Sequence, residues 1–115
     1  MKYLLLIHHV EELDPVLRGQ LLNESVQYCH ELNRNGQYID AAPLHPSSET
    51  ISVTVRDGKR LITDGPFAET REQIGGFFMV EARNIEEAVE IAGKLPSARI
   101  GTVEVRRVSF VEGLP

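Results

Sequence analysis

The chain has 115 residues, of which 42% are hydrophobic and 25% charged, and its formal net charge is −5 at pH 7. These values are typical of one globular domain spanning residues 1–115 and exclude a disordered chain. Acidic and basic residues are interspersed, and without a concentrated basic face nucleic-acid binding is disfavoured. The first apolar run is too short for a signal peptide or a membrane span, so we expect a cytoplasmic protein without membrane association.

The first part of the sequence predicts a strand, a helix and a second strand. The unbroken apolar run at residues 3–7 is typical of a strand buried on both faces. Asp14 followed by Pro15 predicts a helix start with Asp14 as the N-cap, and Asn35-Gly36 predicts the helix end. A strand over residues 38–42 follows. Apolar residues at helical spacing mark the expected buried face of the helix, namely Leu22, Val26 and Cys29, with Leu21 and Tyr28 beside them.

A hairpin and a long loop are predicted next. Apolar residues at 51, 53 and 55 alternate with polar ones, Asp57-Gly58 is a turn signal, and residues 61–63 form the returning strand. Residues 64–75 have the glycine and proline content of a loop. Loops of this length in compact domains are usually functional.

The last part of the sequence predicts a strand, a helix and a final strand. Residues 77–80 are a second unbroken apolar run. Asn84 can cap a short helix that ends before Pro96. Valines at 103, 105 and 108 mark the last strand.

The predicted order is β-α-β, an inserted hairpin, then β-α-β. Two right-handed crossovers in this order predict an α+β fold, a ferredoxin-like split βαβ plait with an inserted β-hairpin. The two strands that are apolar throughout occupy the two central positions of such a sheet. Both helices would cover one face only, and a bare apolar face is rare in soluble monomers. We therefore expect a homodimer in which a second copy covers the other face, giving a dimeric α+β barrel.

Three sequence segments carry a family resemblance. They are residues 63–72 (TDGPFAETRE) continued by 74–77 (IGGF), residues 53–58 (VTVRDG), and residues 96–106 (PSARIGTVEVR). Together they resemble the DGPF type of the YCII-related family. The resemblance implies a ferredoxin-like dimer, a genomic association with extracytoplasmic-function sigma factors, and an enzyme-like His–Asp acid–base pair in YCII relatives.

The acid–base pair of the family is carried over only in part. The family histidine on the first helix corresponds roughly to Ser25, which cannot exchange protons near neutral pH as an imidazole does. His30 lies on the same predicted helix but is offset by more than one turn. The residues of the predicted loop and its surroundings are therefore the main candidates for a site.

His45, Asp64 and Glu69 are the candidate catalytic residues, as polar groups of a cleft between sheet and helices. Carboxylates held against an apolar cleft can have raised pKa values, and a histidine oriented by a carboxylate is the usual general base. The alternative is structural: Asp64 can bind backbone amides in the turn. Glu69 can form ion pairs with Arg71 or Arg56 that fix the loop or the dimer.

Four further residues are candidate ligand contacts, namely His8, His9, Phe67 and Arg71. His8 and His9 end the first strand, and consecutive strand residues point to opposite faces, so one faces the helices and the other the partner. No histidine spacing is typical of a metal site, and no phosphate-binding glycine loop is present. We therefore expect no metal and no cofactor.

Three functions remain open at this stage. The first is a dimeric small-molecule-binding protein or acid–base enzyme with a cleft near the loop predicted at residues 64–75, which we call the DGPF loop. It is favoured because small-molecule sites prefer concave places. The second is a non-catalytic accessory module associated with sigma-factor regulation. The third is a purely structural dimer in which the loop serves assembly.

Overall fold

The structure is a computed structural model that describes all residues 1–115. Two α-helices and six strands follow one another along the chain: β1 (Lys2–His9), α1 (Pro15–Arg34), β2 (Tyr38–Pro43), β3 (Ile51–Arg56), β4 (Lys59–Asp64), β5 (Gln73–Glu81), α2 (Ile85–Gly93) and β6 (Gly101–Arg107). Short 3₁₀ turns lie at Ser47–Glu49 and Pro96–Arg99. Neither helix is long and apolar enough to cross a bilayer.

Four strands form one antiparallel sheet in the order β2-β5-β1-β6, and β3 pairs only with β4. This is the order of the ferredoxin-like plait, so the predicted α+β fold is confirmed. The two strands predicted to be central, β1 and β5, are the central ones. Each pairs on both sides, because its apolar residues on both faces fit a position away from the sheet edges.

The core lies between the helices and one face of this sheet. Leu5 and Val80, which point from the strands toward the helices, are fully buried. Ala88 of α2 is also fully buried, and Leu32 of α1 is only 2% exposed. Tyr28 joins the two helices, because its hydroxyl donates a hydrogen bond to the Ile91 carbonyl at 2.9 Å. Burial, with a smaller effect of Glu31, raises the pKa of the Tyr28 phenol to about 12.

The opposite face of the sheet has no helix over it. Leu4 and Leu6 of β1 point there, as do Phe77 and Met79 of β5, and all four are only half-buried. We call these four residues the open sheet face. The central strands are therefore apolar on both faces, as the sequence predicted.

Helix α1 begins as predicted, with the Asp14 carboxylate accepting hydrogen bonds from the amides of Val16 and Leu17, both at 3.1 Å. Its buried face differs from the prediction, however. The buried residues are Leu21, Tyr28 and Leu32, whereas Leu22 and Val26 are 43% and 53% exposed and Cys29 is half-buried. The helix is rotated so that the predicted stripe borders an open space beside the sheet.

Two predicted boundaries also differ. Strand β5 begins at Gln73, so the loop predicted to end at residue 75 is shorter, and Gly75 lies in a bulge where the register between β1 and β5 shifts. A bulge bends the strand and increases its twist, and bulges are frequent next to binding sites. Val108 lies just beyond β6, although its amide still donates to the Lys2 carbonyl at 2.9 Å.

The predicted hairpin projects from the sheet as an arm, which we define as residues 51–64. Its turn has φ of 50° at Asp57 and 74° at Gly58, the left-handed pair that a two-residue hairpin requires. The arm contributes to a radius of gyration of 16.0 Å, whereas a chain of this length usually has about 13 Å. Much of its apolar surface faces solvent.

Candidate functional site

A cleft of about 500 Å³ opens between α1 and the sheet. We call it the α1 cleft. Its walls are mostly apolar and come from α1, from the end of β1, and from β2 and β5, including Ile7, Leu21, Leu22, Val26, Ala41 and Phe78. The volume lies in the range of small-molecule sites, which are typically apolar with few polar groups. The exposed stripe of α1 described above forms one wall of this cleft.

Two titratable strand residues line the α1 cleft, His9 of β1 and Tyr38 of β2. His9 is the one with an imidazole ring. Its Nδ1 lies 2.8 Å from the Val10 carbonyl oxygen. A carbonyl only accepts hydrogen bonds, so in the neutral ring Nδ1 carries the proton and Nε2 is the basic atom. This hydrogen bond also fixes the ring orientation. His9 therefore has the tautomer and the fixation that a general base requires.

Two glycines lie close against His9, and one of them makes room for its ring. A Cβ at Gly75 would collide with His9 Nε2, and a Cβ at Gly101 would meet His9 Cβ at 2.9 Å as well as the His8 carbonyl oxygen. Gly75 is also a wall residue of the α1 cleft. Glycine is thus required at both positions for close approach, at Gly75 to the imidazole and at Gly101 to the His8 backbone and the His9 Cβ.

Polar residues of α1 stand on the other side of the cleft, namely Arg18, Ser25, His30 and Asn33. Ser25, at the position of the family histidine, donates its hydroxyl proton to the Leu21 carbonyl at 2.8 Å. Cys29 lies among these residues, and burial raises the pKa of its thiol. Arg18 and His30 are exposed, so they can meet a polar or anionic group of a ligand at the cleft entrance.

The DGPF loop lines a second, polar depression of about 540 Å³, to which Glu69, Thr70 and Arg71 contribute. The opposite wall is Glu11 and Ser47. The Glu11 carboxylate accepts hydrogen bonds from the Ser47 amide at 2.7 Å and from the Ser47 hydroxyl. These bonds hold the pKa of the Glu11 carboxyl below its usual value.

The three candidate catalytic residues do not meet in one cavity. His45 has 85% of its side chain exposed and contacts Glu49 at 3.2 Å, and it lines neither the α1 cleft nor the loop depression. Asp64 ends β4, is exposed and also lines neither of them. Glu69 lines the loop depression. A catalytic role for each of them stays a prediction from the sequence.

The four ligand-contact candidates are also distributed. His9 lines the α1 cleft and Arg71 lines the loop depression, while Phe67 is 96% exposed. His8 points to the open sheet face, where its buried Nε2 lies against the Glu104 carboxylate without a hydrogen bond of good geometry. The opposite orientations of His8 and His9 agree with the strand alternation.

Two groups of the site were missed by sequence reasoning. Glu11 carries no motif, and only the fold brings residues 11 and 47 together. His30 and Arg18 line the α1 cleft because α1 is rotated, and the spacing of the helix alone does not give that rotation. Tyr38 of β2 also lines the α1 cleft, and burial raises the pKa of its phenol, so His9 is the strand residue better suited to proton exchange there.

The family model of the YCII-related domain matches residues 1–111. The chain belongs to the YCII-related family. The curated Rhizobium meliloti (strain 1021) sequence named "Uncharacterized protein R00369" is 36% identical over an alignment of 82 residues, and the match covers 64% of this chain and 66% of that protein. This YCII-related chain thus covers slightly less than two thirds of that relative.

A solved structure shares the fold of this YCII-related chain. It is the 5-chloro-2-hydroxyhydroquinone dehydrochlorinase (TftG) from Burkholderia phenoliruptrix AC1100 in complex with 2,5-dihydroxybenzoquinone. The match has a TM-score of 0.54 and covers 97% of both chains at 14% identity. At that identity, the likeness describes the fold alone.

Proposed function

We propose that this protein binds a small, oxygenated ring compound in the α1 cleft and that His9 exchanges a proton with it. The observation that carries the proposal is the His9 ring, fixed by the Val10 carbonyl with Nε2 as its basic atom, beside an apolar cleft of about 500 Å³. A group fixed in this way at an apolar site is the arrangement of a general acid–base catalyst.

The surroundings of His9 indicate the class of ligand. Apolar walls favour a ring, while Arg18 and His30 at the entrance favour hydroxyl or oxyanion groups on it. The dehydrochlorinase that shares the fold binds 2,5-dihydroxybenzoquinone, a single ring with acidic hydroxyls. This molecule is therefore a suitable first probe for the α1 cleft.

We also propose that the functional unit is a homodimer. Leu4, Leu6, Phe77 and Met79 form an apolar surface on the open sheet face that no helix of the chain covers. A second copy presents the same apolar surface, and a contact between the two identical surfaces removes both from water. A cytoplasmic location and the sigma-factor association remain predictions; of the alternatives considered, ligand binding has the support of a formed cleft.

The binding proposal is tested by blocking the cleft. Val26 lines it and is 53% exposed, and Val89 on α2 is also 53% exposed but does not line it. Val26→Trp should fill the cleft and weaken 2,5-dihydroxybenzoquinone binding at least about tenfold, a loss of about 1.4 kcal/mol. Val89→Trp should bind it like the unmodified protein in isothermal titration calorimetry.

Either of two results would reject the α1 cleft as the site. The first is equal affinity of the two tryptophan variants for the probe. The second is the absence of heat from the unmodified protein with this probe and with simple hydroxylated benzoic acids. Melting curves of both variants control for folding, since both positions are exposed.

A further inference from the structure

In the arm, the apolar residues are more exposed to solvent than the polar ones, which is unusual for an isolated chain. In β3, the polar residues Ser52 and Thr54 are half-buried, whereas Ile51, Val53 and Val55 are 62%, 60% and 59% exposed. A strand with one face to water normally shows the reverse order. The more exposed face of β3 is thus its apolar face.

The second strand of the arm extends this apolar face. In the register of the hairpin, Val53 is opposite Ile62, which is 56% exposed, so both point to the same side. The neighbouring Leu61 is opposite Thr54 and points to the other side. We define the arm face as the four residues Ile51, Val53, Val55 and Ile62.

One charge lies at each end of the arm face. Arg60 is opposite Val55 toward the turn, and Asp64 is opposite Ile51 at the base. Both are exposed, and neither belongs to an ion pair within the chain. Four residues of a strand span roughly 13 Å. The arm face is therefore an apolar strip with a positive end and a negative end.

We infer that the arm face packs against the arm face of a second copy of this chain, with the two arms antiparallel. A twofold axis at the level of Val53 and Ile62 places each Asp64 over the partner's Arg60, so both charges are paired on both copies. Sheets that pack face to face are about 10 Å apart, a distance that an arginine side chain can bridge.

The area fits a contact that contributes to a dimer without forming one alone. The four side chains expose on the order of 400 Å² per copy, about half of what one partner contributes to a standard interface. The charges determine the orientation of the two arms more than the affinity. Opposite charges meet in the antiparallel packing, whereas a parallel packing would bring like charges together. The remaining area must come from another contact between the same two copies, so this inference rests on the proposed homodimer but not on the α1 cleft.

Charge reversal tests the inference. Arg60→Asp leaves only acidic ends on the arm face and Asp64→Arg leaves only basic ends, so each variant should self-associate at least about tenfold more weakly in sedimentation velocity. An equimolar mixture of the two variants pairs acidic with basic ends. It should form heteromers nearly as readily as the unmodified protein, as should the double variant that carries both changes.

The outcomes are decisive in both directions. If the unmodified protein does not self-associate, or if the single variants associate as it does, the inference is wrong. If the single variants are weakened but neither the mixture nor the double variant recovers, the antiparallel packing is wrong. Native mass spectrometry of the mixture distinguishes heteromers from homomers.

A second pair of variants tests the apolar contact independently. Ile62→Lys places a charge in the arm face, and Leu61→Lys places the same charge at a similarly exposed site on the other side, 51% against 56%. The inference predicts weaker association for Ile62→Lys only. Equal behaviour of the two variants would overturn it, and melting curves report whether both variants are folded.

Discussion

Replacing Leu5 by alanine is expected to lower the free energy of unfolding by about 3 kcal/mol, a value typical of buried leucines. Leu5 is fully buried on the helix side of β1, where close packing prevents its surroundings from filling the cavity that alanine leaves. Denaturant unfolding followed by far-UV circular dichroism measures the loss. The loss should not depend on protein concentration, because Leu5 is already fully buried inside its own chain.

Leu6→Ala is the matched variant for the other face of the same strand. Leu6 points to the open sheet face and is only half-buried within the chain. If a second copy covers this face, the cost of Leu6→Ala should increase with protein concentration, because only the dimer loses the contact and dissociation is linked to unfolding. A small, concentration-independent cost would argue for a bare face and against the proposed homodimer.

Gly75→Ala is expected to weaken 2,5-dihydroxybenzoquinone binding at least about tenfold, because its methyl group would collide with His9 Nε2. The ring must then leave its position, and the hydrogen bond to the Val10 carbonyl is strained or lost. Overpacking at such sites also costs about 1–3 kcal/mol of stability. Calorimetric titration and thermal unfolding give the two values.

Gly93→Ala is the control for this substitution. A Cβ at Gly93 meets no atom within 4 Å, and the residue lies in the last turn of α2, away from the α1 cleft. It should bind the probe like the unmodified protein. If Gly75→Ala also binds normally and keeps the His9 ring in place, the glycine is not required for the site.

The central sheet could be predicted because its determinants are local. Two short runs that are apolar at every position, at residues 3–7 and 77–80, indicate strands buried on both faces, and Asp57-Gly58 has the backbone freedom that a tight hairpin needs. The capping of α1 by Asp14 could also be predicted from the sequence, because the side-chain oxygen and the following proline act within one turn of the helix.

The candidate site was harder to predict because its determinants are tertiary. Helix α1 carries two adjacent apolar stripes, one with Leu21 and Leu32 and one with Leu22 and Val26, and only packing against the sheet decides which is buried. Strand alternation separates His8 from His9 but does not say which faces the helices. The bulge at Gly75, which gives His9 its space, depends on pairing with β1.

The most direct test of the account is nuclear magnetic resonance of the histidine rings, with ¹⁵N labels, during titration with 2,5-dihydroxybenzoquinone. We expect His9 to show the Nδ1-protonated tautomer when neutral and its Nε2 signal to shift on binding, because that nitrogen meets the ligand. His45, which is 85% exposed outside the cleft, should not move. Saturable binding that leaves the His9 signals unchanged would contradict the account.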